Sequence, residues 1–244
     1  MPTTTFLIPT ADGRADAFAA FPDGGGQHPG VLMYPDGFGI RPVLREMASE
    51  LAGHGYCVLV PNVFYRHGPA PLTELPGYIG AEARPAVMAQ VMPLIQAHTA
   101  ERVRSDADAL LEFLVGRPEV CDGPVAVTGY CIGGLTAMRT AAARPDRVAA
   151  VAAFHAPVAA DGPGLFSGIT ARVHLGHAAG DITPDGLSEL NLSLDAAGVG
   201  HTSEIYPGTV HGFTMSDTDA FSASGLRRHW DRLLPLLSGS LGSG

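Results

Sequence analysis

The segment Val125-Ala-Val-Thr-Gly129-Tyr-Cys131-Ile-Gly133-Gly134-Leu135 constrains this chain more than any other. A β-branched apolar run enters G-x-C-x-G-G and leaves into a helix-forming stretch, and only a tight strand-to-helix turn satisfies both halves. In such a turn the central residue is strained and flanking backbones pass closely, a need that Gly129 and Gly133 meet. Cys131 then projects from the C-terminal edge of a sheet, at the N-terminus of a helix, where partial positive charge and free N–H groups favour thiolate over thiol. The Ile132 N–H is aimed at the same spot as one half of an oxyanion hole. A buried, inert cysteine is the competing reading. It suits Cys57, inside an apolar strand, and Cys121, before an Asp-Gly turn, better than Cys131.

Around this turn the chain alternates. Two β-patterned segments, residues 5–9 and 15–22, flank an Asp12-Gly13 turn and read as an antiparallel hairpin. Residues 30–34 follow a glycine break, and a Pro42-initiated helix then puts Val43, Met47 and Leu51 on one face. Residues 56–61 read as a buried parallel strand. A helix is expected over 86–97, then a longer one in which Val103, Ala107, Leu110, Leu111 and Leu114 share a face. Beyond the turn, strands at 148–154, 172–177 and 203–206 alternate with helices at 133–143, 185–197 and 220–237. The pattern implies an α/β fold: an eight-stranded, mostly parallel sheet with an N-terminal antiparallel hairpin and helices on both faces. Residues 1–237 form one domain on this reading, and the small, polar residues 238–244 a flexible tail. Residues 64–85, rich in Pro, Gly and Tyr, lie over the top of the domain, where they can line a pocket.

The formal net charge of −9 argues against nucleic acid or an anionic membrane as partner. All fifteen cationic side chains are arginine, which excludes a Schiff-base or general-base lysine. The three cysteines are widely spaced and form no C-x-x-C pair, against a disulfide framework or zinc cluster and for a reducing compartment. The start lacks a basic stretch followed by an apolar one, and the longest apolar run, 148–160, is too short to span a bilayer. A cytoplasmic monomer or homodimer is expected.

A nucleophile on such a turn is followed in chain order by an acid and then a histidine, each on a loop after a later strand. Asp181 follows strand 172–177, and His211 follows strand 203–206. Of the other histidines, His28, His54, His67, His98 and His229 fall in turns or helices and are expected to be solvated. His174 and His177 read as satisfied core or rim residues. His155, closing strand 148–154, competes for a pocket role. Asp185 is the fallback for Asp181, but its place after Pro184 suits a helix dipole.

With these residues together, the chain resembles the dienelactone hydrolase family, a branch of the α/β-hydrolases that uses cysteine. The resemblance runs through Tyr34-Pro-Asp36-Gly-Phe-Gly39-Ile40, Pro61-Asn-Val-Phe-Tyr65-Arg66, Gly129-Tyr-Cys-Ile-Gly-Gly134, the Asp181 loop and His211-Gly-Phe213. It implies hydrolysis of a small cyclic or activated ester through an acyl-cysteine intermediate, with no metal or organic cofactor, and makes Tyr65 and Phe213 candidates for substrate contact. The family places a glutamate at the position of Asp36, where it holds the resting nucleophile; Asp36 is one methylene shorter. From its own context, after an apolar strand and before Gly37, Asp36 also projects from the active edge, with a plain turn aspartate as the alternative. The Gly37 N–H is the second candidate oxyanion donor. Dienelactone-specific members carry a carboxylate-binding arginine shortly after His-x-Phe, where this chain has Met215, so a charge-assisted bidentate pair is missing. Arg84 lies where a second such arginine is expected; a solvated surface arginine is the alternative. A carboxylated dienelactone is therefore not implied. A thioesterase or acyltransferase would use the same residues, and a non-catalytic ligand-binding protein or a redox sensor is the reading from other classes.

Overall fold

The computed structural model describes residues 1–242. Strands sandwiched between helix layers need apolar side chains on both faces, and the central strands have them. β3 (Gly30–Tyr34), β4 (Cys57–Pro61) and β5 (Val125–Tyr130) are buried along their whole length, whereas β6 (Val148–Phe154) and β7 (Arg172–Ala178) each leave one residue less covered. The outer strands are β1 (Thr3–Thr10), which pairs with β2 (Gly13–Ala20), and β8 (His201–Tyr206). The order is β1-β2-β4-β3-β5-β6-β7-β8. β1 with β2 and β2 with β4 are antiparallel; the remaining pairings are parallel. Strand number, hairpin and sense agree with the expectation.

Alternate side chains feed two cores. Leu32 and Tyr34 join Leu110, Leu111, Met138 and Leu194, while Val31 and Met33 join Leu44, Leu51 and Leu233. Thus α1 (Pro42–Gly53) and α6 (Ala223–Leu241) cover one face, and α3 (Ala100–Val115), α4 (Ile132–Ala143) and α5 (Pro184–Ala196) the other. Leu44, Leu51 and Leu233 are fully buried, so truncating any of them to Ala costs about 2–5 kcal/mol. α2 (Arg84–Ala97) buries only Val87 and Val91 and lies over the strand ends.

Hydroxyl caps set three helix starts: Thr99, Thr183 and Ser222 accept from the N–H groups of Arg102, Gly186 and Gly225 at 3.3, 3.1 and 3.1 Å. The Ser222 cap explains why α6 begins three residues after the expected Ala220. At its other end α6 corrects the expected flexible tail. Helix continues through Leu241 because Leu241 packs on the second core, and residues 243–244 lie outside the described residues.

One topological feature places the site. The chain leaves β3 for β4 on one side and comes back to β5 on the other, so the loops after β3 and β5 part company and open a crevice. Tyr34 and Gly129 are register partners there, which puts residues 35–41 beside Cys131.

Candidate active site

Cys131 sits at φ 54°, ψ −121°, between β5 and α4. A non-glycine residue there stores about 1–3 kcal/mol of strain, so its surroundings must hold it. They do: the Cys131 N–H donates to the Phe154 carbonyl at 3.0 Å, and the Cys131 carbonyl accepts from Gly134 N–H at 3.1 Å. The glycines are required by close approach. A Cβ on Gly129 would lie 2.1 Å from the Gly133 oxygen, and one on Gly133 2.2 Å from the Pro35 oxygen.

The loops after β7 and β8 deliver the other two groups. They are tied together by Ala179 N–H donating to the Thr209 carbonyl at 3.2 Å. Asp181 Oδ2 accepts from His211 Nδ1 at 2.9 Å, which fixes the ring and leaves Nε2 for the sulfur side. Cys131 and His211 border the same pocket. Partial burial works against a charged His211. The Asp181 hydrogen bond, the neighbouring Cys131 sulfur and the Asp181 charge outweigh it and raise the imidazole to about 10.

His155 forms a neutral wall beside this pair. It is fully buried at φ 39°, with its N–H donating to the Gly176 carbonyl at 2.7 Å and Nε2 paired with Thr214 Oγ1 at 2.9 Å. Its ring stands edge-on to His211, centroids 5.0 Å apart, and Phe213 backs it at 5.2 Å. Burial, and then the nearby positive charge of His211, hold it well below the usual histidine range. The competition between His211 and His155 thus resolves by environment: His155 shapes the pocket and His211 can carry a proton.

The pocket encloses about 80 Å³, with Phe38, Met88, Ile95 and Met215 among its walls. Of the residues expected there, Asp36, Gly37, Arg84, His155 and Met215 border it. Neither the Gly37 nor the Ile132 N–H has a protein acceptor among the described residues. Asp36, however, does not hold the sulfur. Its carboxylate is buried against Arg41, with Nη1 to Oδ1 at 2.6 Å and Nη2 to Oδ2 at 3.0 Å, and Oδ1 also accepts from Phe38 N–H at 3.0 Å. The shorter side chain stays within its own loop. Arg41 in turn donates to Asp217 at 2.6 Å, on the loop that follows His211.

Other expectations are corrected as well. Tyr65 does not border the pocket: its hydroxyl donates to Asp106 at 2.8 Å and accepts from Thr10 at 2.9 Å, because the turn after β4 folds toward the hairpin and α3. Phe213 is fully buried and contacts His155 and Tyr206, behind the pocket wall. Arg84 is neither free nor simply solvated, since it pairs with Asp219. His98 and His229, expected to be solvated, are buried, bonded to Thr136 Oγ1 and the Tyr130 hydroxyl at 3.0 Å each. Asp185 lies in the first turn of α5, as its sequence context implied.

Residues 15–240 match the model of the dienelactone hydrolase family. The chain belongs to the dienelactone hydrolase family. The carboxymethylenebutenolidase of Pseudomonas sp. (strain P51) is 32% identical over 120 residues, 48% of this chain and 46% of that enzyme, so this match spans less than half of the relative. A provisionally named carboxymethylenebutenolidase of Synechocystis is 24% identical over 249 residues, 98% of this chain and 97% of its own. Among solved structures, a provisionally named dienelactone hydrolase from Klebsiella pneumoniae superposes with a TM-score of 0.83 at 19% identity, covering 97% of this chain and 98% of the other. A dienelactone hydrolase-like promiscuous phosphotriesterase from metagenomic libraries gives 0.80 at 23% identity, covering 99% and 100%. The fold is that of the α/β-hydrolases. Among the described residues no helix is long and apolar enough to cross a membrane.

Proposed function

We propose that this protein hydrolyses a small ester or lactone through an acyl-cysteine intermediate, with Cys131 as nucleophile, His211 as proton carrier and Asp181 as the carboxylate that orients it. One observation carries the reading: His211, held by Asp181 at 2.9 Å, borders the same pocket as a cysteine on a strained turn between strand and helix. His211, raised to about 10, carries its proton at neutral pH beside the Cys131 sulfur. The sulfur attacks the carbonyl carbon, and the oxyanion is received by the Ile132 and Gly37 N–H groups, donors of this kind contributing about 3 kcal/mol each. As the tetrahedral centre collapses, the carbon–oxygen bond breaks and His211 protonates the departing alkoxide. His211 then takes a proton from water, whose oxygen attacks the thioester. The carbon–sulfur bond breaks, freeing the acid and the thiolate.

A pocket of about 80 Å³ is well under the roughly 300–1,000 Å³ of ordinary ligand sites, which favours a small acyl portion. The carboxymethylenebutenolidase relatives are named for lactone hydrolysis, and a lactone is a compact ester. The test is Cys131→Ala. It is expected to lose turnover of p-nitrophenyl acetate while its circular dichroism is unchanged, and rapid quench of the wild type should trap an acylated protein by intact mass. Turnover retained in Cys131→Ala would overturn the assignment.

A further inference from the structure

Resting on that hydrolytic reading, charge at the rim of the pocket goes further and bears on substrate class. Arg84 borders the pocket and is about a third exposed, the only cation on its rim among the described residues besides the triad's histidine. Its guanidinium is paired with Asp219, from the loop after His211. Two side chains a third exposed would ordinarily exchange freely with water. Here the backbone fixes both ends: Ile79 N–H donates to the Asp217 carbonyl at 2.8 Å, Asp219 N–H to the Ile79 carbonyl at 3.3 Å, and Arg84 N–H to the Gly80 carbonyl at 3.0 Å. The segment over the pocket and the histidine loop are thereby joined, with Arg84 and Asp219 facing each other across the join. The other guanidinium nearby, Arg41, is occupied by Asp36 and Asp217. Asp36, the acid that borders the pocket, is likewise committed to Arg41, so Arg84 is the guanidinium whose partner decides what an incoming anion meets.

We propose that Asp219 determines specificity: by occupying Arg84 at the rim, it makes the site accept neutral acyl groups and turn away those that carry a carboxylate. An anionic substrate would have to displace a carboxylate that the backbone holds in place before it could pair with Arg84.

The test uses two probes of Cys131 that differ in charge, iodoacetamide and iodoacetate, with alkylation at Cys131 followed by peptide mass spectrometry. Wild type, Asp219→Asn and the double variant Arg84→Gln/Asp219→Asn are compared. In Asp219→Asn the preference for iodoacetamide over iodoacetate is expected to fall on the order of tenfold, the scale of a charge-assisted contact, and to return in the double variant. The ratio of kcat/KM for p-nitrophenyl valerate over p-nitrophenyl hemisuccinate should shift in parallel. An unchanged alkylation ratio in Asp219→Asn overturns the proposal, and so does a shift that persists without Arg84. Failure of the wild type to turn over either ester would strike the hydrolytic reading instead, while the alkylation ratios would still decide the role of Asp219.

Discussion

His98, His155, His174, His177 and His229 are all at most 5% exposed, and lowering the pH from 7 to 5.5 puts a load on all five at once. Burial depresses each of them: His98, His174 and His177 to about 4, His229 to about 3, and His155 well below its usual range. In the unfolded chain each would titrate near 6.5. Between the two values the unfolded chain binds protons that the folded one refuses, so stability is present above about pH 6.5 and is lost as the pH falls toward 4. His211 gives no relief. Raised to about 10, its contribution is already complete below 6.5 and declines only as the pH climbs toward 10. One pH unit below 6.5, each buried histidine has removed on the order of 1 kcal/mol, and the five together on the order of 5 kcal/mol between pH 7 and 5.5. That is comparable to the roughly 5–15 kcal/mol that holds an ordinary domain together. Urea unfolding followed by circular dichroism at pH 7.0, 6.5, 6.0 and 5.5 measures the slope directly, and uptake approaching five protons per unfolding event is expected near pH 5.5. A slope of fewer than about two protons would refute the reasoning, because the histidines would then be reaching water within the folded state.

Asp36→Ala should cost about 3–5 kcal/mol in a urea titration, since it strips a buried guanidinium of the more buried of its two carboxylates. Asp181→Asn should reduce kcat for a nitrophenyl ester by a factor on the order of 10⁴, and the His211 titration read by NMR should move down from about 10. Gly133→Ala, whose Cβ would sit 2.2 Å from a backbone oxygen, should lower stability by at least about 3 kcal/mol and abolish turnover with it; a variant of wild-type stability and rate would mean the turn tolerates a side chain.

The features read well from sequence were those whose physics is local. The turn at Cys131 is written in eleven consecutive residues, and the placing of Asp181 and His211 follows from counting strand ends. What the local sequence does not carry depends on partners far along the chain. Arg41 meets Asp217 across 176 positions and Arg84 meets Asp219 across 135, and neither pairing leaves a periodic trace. His229 lies in a helix whose polar residues suggested solvent, but it falls on the face turned to the sheet, where Tyr130 and Phe154 receive it. Tyr65 is the opposite case: its motif is plain in the sequence, while the direction of the turn bearing it depends on Asp106 in α3. The signal available for Asp217 and Asp219 was their position, two acids within the loop that follows the catalytic-type histidine.

The short parallel bridge between Ile79 and Thr218 welds the roof of the pocket to the strap of chain that bears the imidazole. Raising that roof to admit a bulkier guest must therefore tug on the loop that carries His211. On the hydrolytic reading proposed above, size discrimination would come from mechanics as much as from steric fit: a molecule that pries the chamber open would loosen the imidazole proposed to process it.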